Sequence, residues 1–382
     1  MSELLGYPRD SGRWGIRNHV LILAARAAAN RAAELIADKS GGAIAVGHEW
    51  EARPGDADAE LIVRTLVGFA ANPNVGGVVL VAATDADREL ADEIAARGQT
   101  VETVVMTEHG GTLGTVDAGA ELARRLSGAA ARCRPQPMPL TALSVGLECG
   151  GSDAWSGITA NPALGIASDR LIAAGATAIL AEVPELVGAE RFLASRAVTP
   201  DIGRQVIALI EGFERSVREL GVDIRGAQPT PGNIHGGLTT IEEKSLGAAR
   251  KAGTAPIQGV LAYAQAPSRP GLYIMDTPGH DIEQMVGLVA GGCQAIAFTT
   301  GRGTPTGSPI APCLKISTNS RIYERMPGDI DLDAGGIIDG SKTVESVGDA
   351  IFETLLEIGR GRRTCSELRG NSEFAIRRVH YD

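Results

Sequence analysis

The segment 146–157, GLECGGSDAWSG, concentrates reactive groups in a chain of 382 residues. It directly follows an apolar run typical of a strand, and it contains Glu148, Cys149, Ser152 and Asp153. In an open parallel sheet, ligands bind beyond the carboxyl ends of the strands, so these four side chains are candidates for a catalytic site. The alternative interpretation is that Cys149 is a small buried apolar residue and that the glycines only turn the chain. The segment does not match G-x-S-x-G, so it predicts no nucleophile elbow.

A second segment, 231–244, reads PGNIHGGLTTIEEK and predicts a turn followed by a helix. The start of this helix has the pattern of a capping box, made by Thr239 or Thr240 with Glu242 or Glu243. Capping accounts for these carboxylates without a catalytic role, but it does not account for His235 or Lys244. A lysine in the first turn of a helix faces the positive end of the helix dipole, so we expect Lys244 to have an anionic partner or ligand.

The segment 275–281, MDTPGHD, also follows a predicted strand. Asp276 and His280 flank a turn there, and Asp281 is a candidate helix N-cap. An Asp–His hydrogen-bond network within the turn would explain the same residues.

The segment 299–308, TTGRGTPTGS, is a glycine-rich loop that could direct backbone N–H groups at an anion. Arg302 could bind a carboxylate through two parallel hydrogen bonds, although a solvated surface arginine is the alternative interpretation. Lys315 and Asn319 lie on or just after the next predicted strand. The loop has neither the lysine of a P-loop nor the G-x-G-x-x-G spacing, so it gives little support to nucleotide binding.

The composition excludes several classes of function. Lys+Arg 36 against Asp+Glu 46 gives a net charge of −10, which argues against a nucleic-acid partner. No apolar run reaches the ~18 residues that cross a bilayer, and no signal-peptide pattern is visible, so we expect no membrane partner. The 5 cysteines are scattered, which argues against a disulfide framework and favours a cytoplasmic protein. No His, Cys and Asp spacing is typical of a zinc site.

Alternating strand and helix patterns must position these segments. Continuous apolar strands separated by amphipathic helices predict an α/β fold of two Rossmann-like domains with mainly parallel sheets, the second larger and elaborated. The first domain is predicted over 1–131, a proline-rich linker over 132–140, and the second domain over 141–382. Strands are predicted at 19–25, 43–47, 78–82, 101–106, 142–147, 176–182, 271–276, 293–299 and 313–318. Helices are predicted at 30–39, 58–71, 85–96, 116–127, 162–174, 185–196, 201–220, 241–252, 281–290 and 343–359.

Taken together, these segments resemble the altronate/galactarate dehydratase family, which also includes the large subunit of sulfolactate sulfo-lyase. The resemblance extends from residues 6–23 to residues 363–376 and is strongest over 147–164, 181–193 and 236–247. It implies a hydro-lyase that removes water from a small sugar acid or other hydroxy-carboxylate to give a 2-keto acid. In that reaction a base takes the proton α to the carboxylate, and positive charge or N–H donors stabilise the enediolate.

This reaction suggests roles for several candidate residues, while the role of Cys149 stays open. The catalytic group is expected to comprise Cys149, Asp153, Lys244, His280, Arg302 and Lys315. The substrate-binding group is expected to comprise Glu148, Ser152, Asn161, His235, Thr239, Asp276, Thr300, Gly301, Gly303, Thr304 and Asn319. Lys244 or His280 would be the base, and Arg302 with the N–H groups of residues 301–304 would hold the carboxylate. Lys315 would add positive charge against the enediolate, and the carboxylates of segment 146–157 would position hydroxyl groups.

The resemblance also implies an iron-type metal held by cysteines in three turns of the first domain. We align those cysteines with Ala28, Ala52 and Ala86, so the expected thiolates are absent. We therefore predict no stoichiometric iron or iron–sulfur cluster. An oxygen-rich Mg²⁺ or Mn²⁺ site at His48, Asp85 and Asp87 is the alternative.

Two other functions remain open. One is a lyase that expels sulfite or ammonia and needs no Lewis acid, and the other is a non-catalytic binding subunit. The polar residues around Cys149 and Lys244 favour an enzyme. In the family, a small domain precedes the segment that begins here at Gly6, or is supplied as a separate subunit. We therefore expect a separate β-rich partner of about 100 residues, together with a homodimer.

Overall fold

The computed structural model describes residues 3–51 and 58–378 of the chain. The strands of the described residues are β1 Leu4–Pro8, β2 Trp14–Gly15, β3 His19–Ala24, β4 Ile44–Val46, β5 Val75–Ala82, β6 Val101–Val105, β7 Gln136–Met138, β8 Ser144–Gly150, β9 Thr177–Leu180, β10 Ile257–Leu261, β11 Gly271–Met275, β12 Ala295–Thr300, β13 Cys313–Ser317 and β14 Leu332–Asp333. The α-helices are α1 Asn30–Ser40, α2 Ala59–Ala70, α3 Arg88–Ala96, α4 Thr112–Arg132, α5 Ala160–Ala173, α6 Glu190–Ala194, α7 Pro200–Glu219, α8 Ile224–Ala227, α9 Pro231–His235, α10 Ile241–Ala249, α11 Asp281–Ala290, α12 Ser320–Arg325, α13 Val344–Gly359 and α14 Cys365–Arg369.

Two parallel sheets form the body of the molecule. The smaller one has the strand order β4-β3-β5-β6, and the larger one has the order β10-β11-β9-β8-β12-β13-β14. Their central strands are almost continuously apolar because helices cover both faces, as in the buried run HVLILA of β3. The prediction of an α/β fold with parallel sheets is therefore confirmed.

The sequence pattern missed parts of the larger sheet. β10 reads IQGVL, in which a polar residue and a glycine interrupt the apolar run, and β14 is only two residues long. The segment 231–238 contains the helix α9 rather than only a loop. Its helix is short and begins at a proline, so it has too few residues for a helical period to be visible.

The proline-rich segment 132–140 is not merely a linker, which corrects our prediction. Residues Gln136–Met138 form β7, which pairs antiparallel with β1, and β2 pairs on the other side of β1. Pro137 lies opposite Leu5 on the edge of this ribbon, where a proline is tolerated because an edge strand has one unpaired side. The ribbon thus joins the start of the described chain to the segment between the two parallel sheets.

The two parallel sheets share one apolar cluster. α2 packs against α11, and buried side chains from both helices, such as Phe69 and Val289, belong to this cluster. The buried amide of Asn72 reinforces the contact by donating to the carbonyls of Val289 and Cys293 at 2.7 and 2.9 Å. The division into two domains stays a prediction. Among the helices of the described residues, none combines the length and apolarity needed to cross a membrane.

Candidate active site

The carboxyl ends of β8 and β12 lie side by side in the larger sheet. Cys149 is in register with Thr299, and Gly150 is in register with Thr300. The chain leaves β8 through segment 146–157 and leaves β12 through the loop 300–309. The two segments expected to carry chemistry are therefore adjacent, at the sheet edge where ligands bind in parallel α/β folds.

The Cys149 thiol lies in a fully buried charged cluster. Its Sγ is 2.8 Å from Lys251 Nζ and 3.2 Å from Glu182 Oε1. Glu182 also forms an ion pair with Lys251 and accepts the backbone N–H of Cys149 at 3.0 Å. Both charged side chains are at most 1% exposed. We call Cys149, Glu182 and Lys251 the sealed cluster.

Neither charged member of the sealed cluster was singled out from the sequence. Lys251 follows α10 in a helical pattern that contains no distinguishing motif. Glu182 was identifiable in principle, because it ends the buried apolar run of β9 and a charge is rarely buried unpaired. Its backbone has φ 73° and ψ 55°, a left-handed conformation that is uncommon for residues other than glycine. Its N–H donates to Thr277 Oγ1 at 2.6 Å, which helps to hold this conformation.

Glu148 occupies the opposite face of β8. Burial raises the pKa of its carboxyl well above the ordinary value, and the nearby charge of Asp281 raises it further. The side-chain amide of Gln284, oriented as a donor, lies 2.7 and 3.0 Å from the two carboxyl oxygens. Asp281 packs against Gly150 so closely that a Cβ there would overlap its carboxyl group. Asp281 is the first residue of α11 and not its N-cap, which is His280.

Lys244 has the anionic partner that its position predicts. Its Nζ lies 2.9 Å from Glu185 Oε2 and donates to Gln228 Oε1 at 2.6 Å and to Asn233 Oδ1 at 3.0 Å. Asn233 in turn donates to the carbonyl of Ser152 at 2.9 Å. Lys244 therefore joins α10 to α9 and, through Asn233, to the segment 146–157.

Asp153 connects the same segment to the strand ends. Its carboxylate accepts hydrogen bonds from the hydroxyls of Thr318 and Ser156, the amide of Asn319 and the N–H of Trp155, at 2.9 to 3.1 Å. Both oxygens are thus occupied, and the geometry favours a positioning role for Asp153.

Several other candidates are also engaged within the scaffold. Asn161 accepts from Thr299 Oγ1 at 2.6 Å and donates to the carbonyl of Gly247 at 3.0 Å. The ammonium of Lys315 donates to the carbonyls of Pro305 and Thr306, at 2.7 and 3.3 Å. Lys315 thereby holds the loop 300–309 from inside. Three further hydrogen bonds stabilise the same loop. Gly303 N–H donates to Thr300 Oγ1, Thr304 Oγ1 donates to Thr306 Oγ1, and Asn319 Nδ2 donates to the carbonyl of Gly301.

An open cleft of about 410 Å³ lies beside these loops, and we call it the arginine cleft. Its lining comprises Asp153, Trp155, His235, Gly236, Gly301, Arg302, Asn319, Arg321, Ile322 and Arg325. The three arginines are exposed, and none forms an ion pair or side-chain hydrogen bond with another described residue. Arg321 and Arg325 lie on α12 and were not predicted. Unpaired positive charge in a concave site is suited to an anionic ligand.

Four further predicted residues also lie outside the arginine cleft. Asp276 forms an ion pair with Arg377 at 3.1 Å, so the Asp–His turn network is not formed. His280 is exposed at the start of α11. The hydroxyl of Thr239 donates to Glu243 at 2.5 Å, while Thr240 is the N-cap of α10, so the capping interpretation of this segment is confirmed. Ser152, 7% exposed, has its hydroxyl 3.8 Å from Cys149 Sγ.

The turns aligned with the family's cysteines offer few metal donors. His48 is buried, which lowers its pKa, and both ring nitrogens are engaged, Nε2 with the carbonyl of Ala24 at 2.9 Å and Nδ1 with the N–H of Trp50 at 3.2 Å. Asp87 pairs with Arg26 and caps its own turn, and Asp85 pairs with Arg88.

In the same region, the N–H of Ala28 donates to Glu51 at 2.6 Å, and Ala86 carries no donor side chain, while Ala52 lies outside the described residues. Within 3–51 and 58–378, no three His, Cys, Asp or Glu side chains are grouped as metal ligands. The described donors therefore do not fit a thiolate-bound iron, and the alternative at His48, Asp85 and Asp87 gains no support.

Comparison with known proteins identifies the family. A model of "D-galactarate/Altronate dehydratase, C-terminal" matches residues 140–381, and one of "D-galactarate dehydratase/Altronate hydrolase, second domain" matches residues 6–131. The (2R)-sulfolactate sulfo-lyase subunit beta of Chromohalobacter salexigens is 36% identical over 98% of this chain and 97% of its own length. The altronate dehydratase of Bacillus subtilis is 34% identical over 97% of this chain and 76% of its own length. The galactarate dehydratase of Escherichia coli is 33% identical over 79% of this chain and 59% of its own length. The chain therefore belongs to the D-galactarate/altronate dehydratase family and is a lyase.

Proposed function

We propose that the enzyme acts on a small hydroxy-carboxylate that carries two anionic groups, and that the arginine cleft binds it. The observation that carries this proposal is the set of three unpaired arginines, Arg302, Arg321 and Arg325, around one open cavity. One carboxylate needs only one bidentate arginine, so three cations suit a dianion. A cleft of about 410 Å³ is also of the right order for a small acid.

Within this proposal, Arg302 and the adjacent backbone N–H groups of the loop 300–309 bind the carboxylate next to the reacting carbon. Loss of the α proton places a second negative charge on that carboxylate as the enediolate forms. The same donors then stabilise the intermediate more strongly than the substrate, which is the condition for catalysis. The arginines on α12 bind the distal anionic group and orient the substrate.

Water is the leaving group that we propose first, so the product is a 2-keto acid. Sulfite is the second candidate, favoured because this chain aligns with 97% of the sulfo-lyase subunit beta. Both reactions are β-eliminations from a 2-hydroxy acid, and both galactarate and sulfolactate are dianions. The two reactions therefore place the same demands on the active site and differ only in the group that leaves Cβ.

A substrate panel tests the proposal. Purified enzyme would be incubated with galactarate, altronate and (2R)-sulfolactate, with 2-keto acid and sulfite measured separately. We expect product from a dianion, with a kcat/KM at least tenfold above that for the monoanion altronate. Turnover only of the monoanion would contradict the dianion assignment. Binding without product from any acid would favour a non-catalytic binding subunit.

We also propose that activity does not depend on thiolate-bound iron. Ala28 and Ala86 supply no ligand, and both ring nitrogens of His48 are engaged with the backbone. Elemental analysis of anaerobically prepared enzyme is the test. About one iron per chain, lost together with activity on chelation, would contradict this, whereas activation by added Mg²⁺ or Mn²⁺ would support an oxygen-ligated metal.

A separate small subunit of about 100 residues is the partner that we propose. Trp155, Ile158, Ile234 and Leu246 are 41 to 58% exposed on adjoining segments beside the arginine cleft, an apolar surface suited to protein contact. The extent of the match to a protein named as a subunit supports the same idea. Purification from the native host should recover a small protein with the chain. Full turnover by the chain alone, or a homodimer buried through this surface, would contradict the assignment.

The finer organisation is also a proposal. We propose two Rossmann-like domains, 1–131 and 141–382, in a cytoplasmic enzyme that self-associates as a dimer. The two parallel sheets and the free state of all five cysteines support it. Light scattering tests the dimer, and separate expression of the second domain tests whether it folds alone.

A further inference from the structure

We propose that His235 is the general base that removes the proton α to the substrate carboxylate, and that Lys244 positions it. This inference rests on the proposed function, because it assumes that the substrate binds in the arginine cleft. It replaces Lys244 and His280, the two bases expected from the sequence.

His235 is the one side chain in the described lining of the cleft that is available to accept a proton. Arginines stay protonated in proteins, so Arg302, Arg321 and Arg325 are excluded as bases. The carboxylate of Asp153 already accepts hydrogen bonds at both oxygens. His235 is exposed to the cleft and has no side-chain hydrogen bond with another described residue, so its imidazole can meet a substrate.

The imidazole stands close to the expected carboxylate site. Arg302 packs its guanidinium against Gly232 so closely that a Cβ at this position would overlap it. Gly232 lies three residues before His235 in α9, and residues with this spacing share one face of a helix. A carboxylate bound to Arg302 would therefore hold its α carbon near His235. The charged groups that face His235 are Arg302 from the loop, Arg321 and Arg325 from α12, and Asp153 from segment 146–157.

Lys244 acts on His235 through α9. This helix has only five residues and depends on contacts with its surroundings. Asn233, buried at 4% exposure, makes the capping box with Thr230 and donates to the carbonyl of Ser152. Lys244 donates to Asn233 and pairs with Glu185, so its three N–H bonds are directed at protein groups. It is therefore a positioning residue.

The step is balanced without another reactant. A neutral ring nitrogen of His235 takes the α proton, and the C–H electron pair becomes the enediolate held by Arg302. That pair then forms the Cα–Cβ double bond, and the bond from Cβ to its hydroxyl or sulfonate breaks. A departing hydroxide receives the proton from the imidazolium and leaves as water. Sulfite instead leaves with its electron pair, and the imidazolium then releases its proton to solvent. The enol product converts to the 2-keto acid.

Exchange of the α proton in D₂O tests the base directly, with whichever acid of the panel the wild-type enzyme turns over. His235→Gln should lower kcat by about 10²–10⁴-fold, the usual contribution of a general base, with little change in KM. It should also abolish the rise of kcat/KM with pH that we expect of the wild type. His109→Gln, a matched change at an exposed histidine on another element, should leave both unchanged.

Lys244→Gln tests the positioning role. We expect a fall in kcat, a shifted pH profile and a nearly unchanged KM, whereas a merely structural role would lower only the amount of folded enzyme. Normal exchange by His235→Gln would overturn the proposal, and loss of exchange in His280→Gln instead would move the base to His280. If the wild type gives no product from any acid, the proposed function fails, which is a separate outcome.

Discussion

The sealed cluster and the arginine cleft lie on neighbouring parts of one sheet edge, but the charges of the first are buried and paired, whereas the arginines of the second are exposed and unpaired. In the sealed cluster, the ammonium of Lys251 contacts the carboxylate of Glu182 and the thiol of Cys149, and no solvent reaches it. In the arginine cleft, three cations face solvent with no protein counter-ion among the described residues. Of the residues predicted from the sequence, Cys149 belongs to the first region, whereas His235 and Arg302 line the second, which is the one open to a ligand.

This difference shows how to tell scaffold from binding site. A buried charge must be paired, since leaving it unpaired costs several kcal/mol. Its partners are therefore fixed when the chain folds and are not available to substrate. An exposed arginine costs little to keep unpaired, so a cluster of them in a concavity is best explained by an anionic ligand.

Breaking the sealed cluster should have the largest effect. Lys251→Met leaves the Glu182 carboxylate buried without its counter-ion, and we expect the free energy of unfolding to fall by about 3–5 kcal/mol. Urea denaturation would measure it. The double variant Lys251→Met/Glu182→Gln should recover much of the loss, because it removes both charges. A single variant as stable as the wild type would show that the pair is not a structural element.

Removing Arg302 should impair catalysis and leave stability almost unchanged. Arg302→Ala should lower kcat/KM by at least ~10²-fold, the scale of one charged contact in a preorganised site. The thermal unfolding temperature should change little, since the side chain is exposed and unpaired. Steady-state kinetics and calorimetry on the same preparation would show both. Normal kinetics would place the carboxylate site elsewhere.

The pH dependence of stability tests the buried carboxyl of Glu148, which lies on the opposite face of β8 from the sealed cluster. Burial raises the pKa of Glu148, so folding favours its protonated form. The associated stability is complete below the unfolded pKa of about 4.3 and is lost as pH rises toward the folded value. Glu148→Gln removes this titration. The stability of the variant relative to wild type should therefore be greater at pH 8 than at pH 5 in urea denaturation. An equal difference at both values would contradict the assignment.

The smallest effect is expected from substitutions of the two arginines on α12. Arg321→Gln and Arg325→Gln should each raise KM for a dianionic substrate a few-fold, because exposed charge pairs contribute about 0.2–1 kcal/mol. The increase should shrink at high salt, where exposed charges are screened. For a monoanionic acid, KM should change little. An effect of equal size on both kinds of acid would argue against a distal anionic group.

Sequence reasoning anticipated the scaffold better than the site. The long apolar strands follow from the sequence pattern, and so does the anionic partner of Lys244, because this lysine lies in the first turn of α10. The pairing of Lys251 with Glu182 was not readable, because it joins residues far apart in the chain. The hydrogen bonds to both oxygens of Asp153 were missed for the same reason, since Thr318 and Asn319 lie in the turn between β13 and α12. The roles of individual side chains depended on contacts that only the tertiary structure supplies.

The ribbon of β1 and β7 has a consequence for the order in which the molecule is assembled. Leu4 pairs with Met138, so the side of β1 that faces β7 has no partner until about 130 more residues have followed, at roughly 5–20 residues per second, although β2 pairs with the other side early. The smaller parallel sheet is complete within that interval, because its last strand ends at Val105. The β7 side of β1 is therefore unpaired while the smaller sheet is made, and it pairs only afterwards. Its exposed backbone is a temporary target for chaperones or for a neighbouring nascent chain.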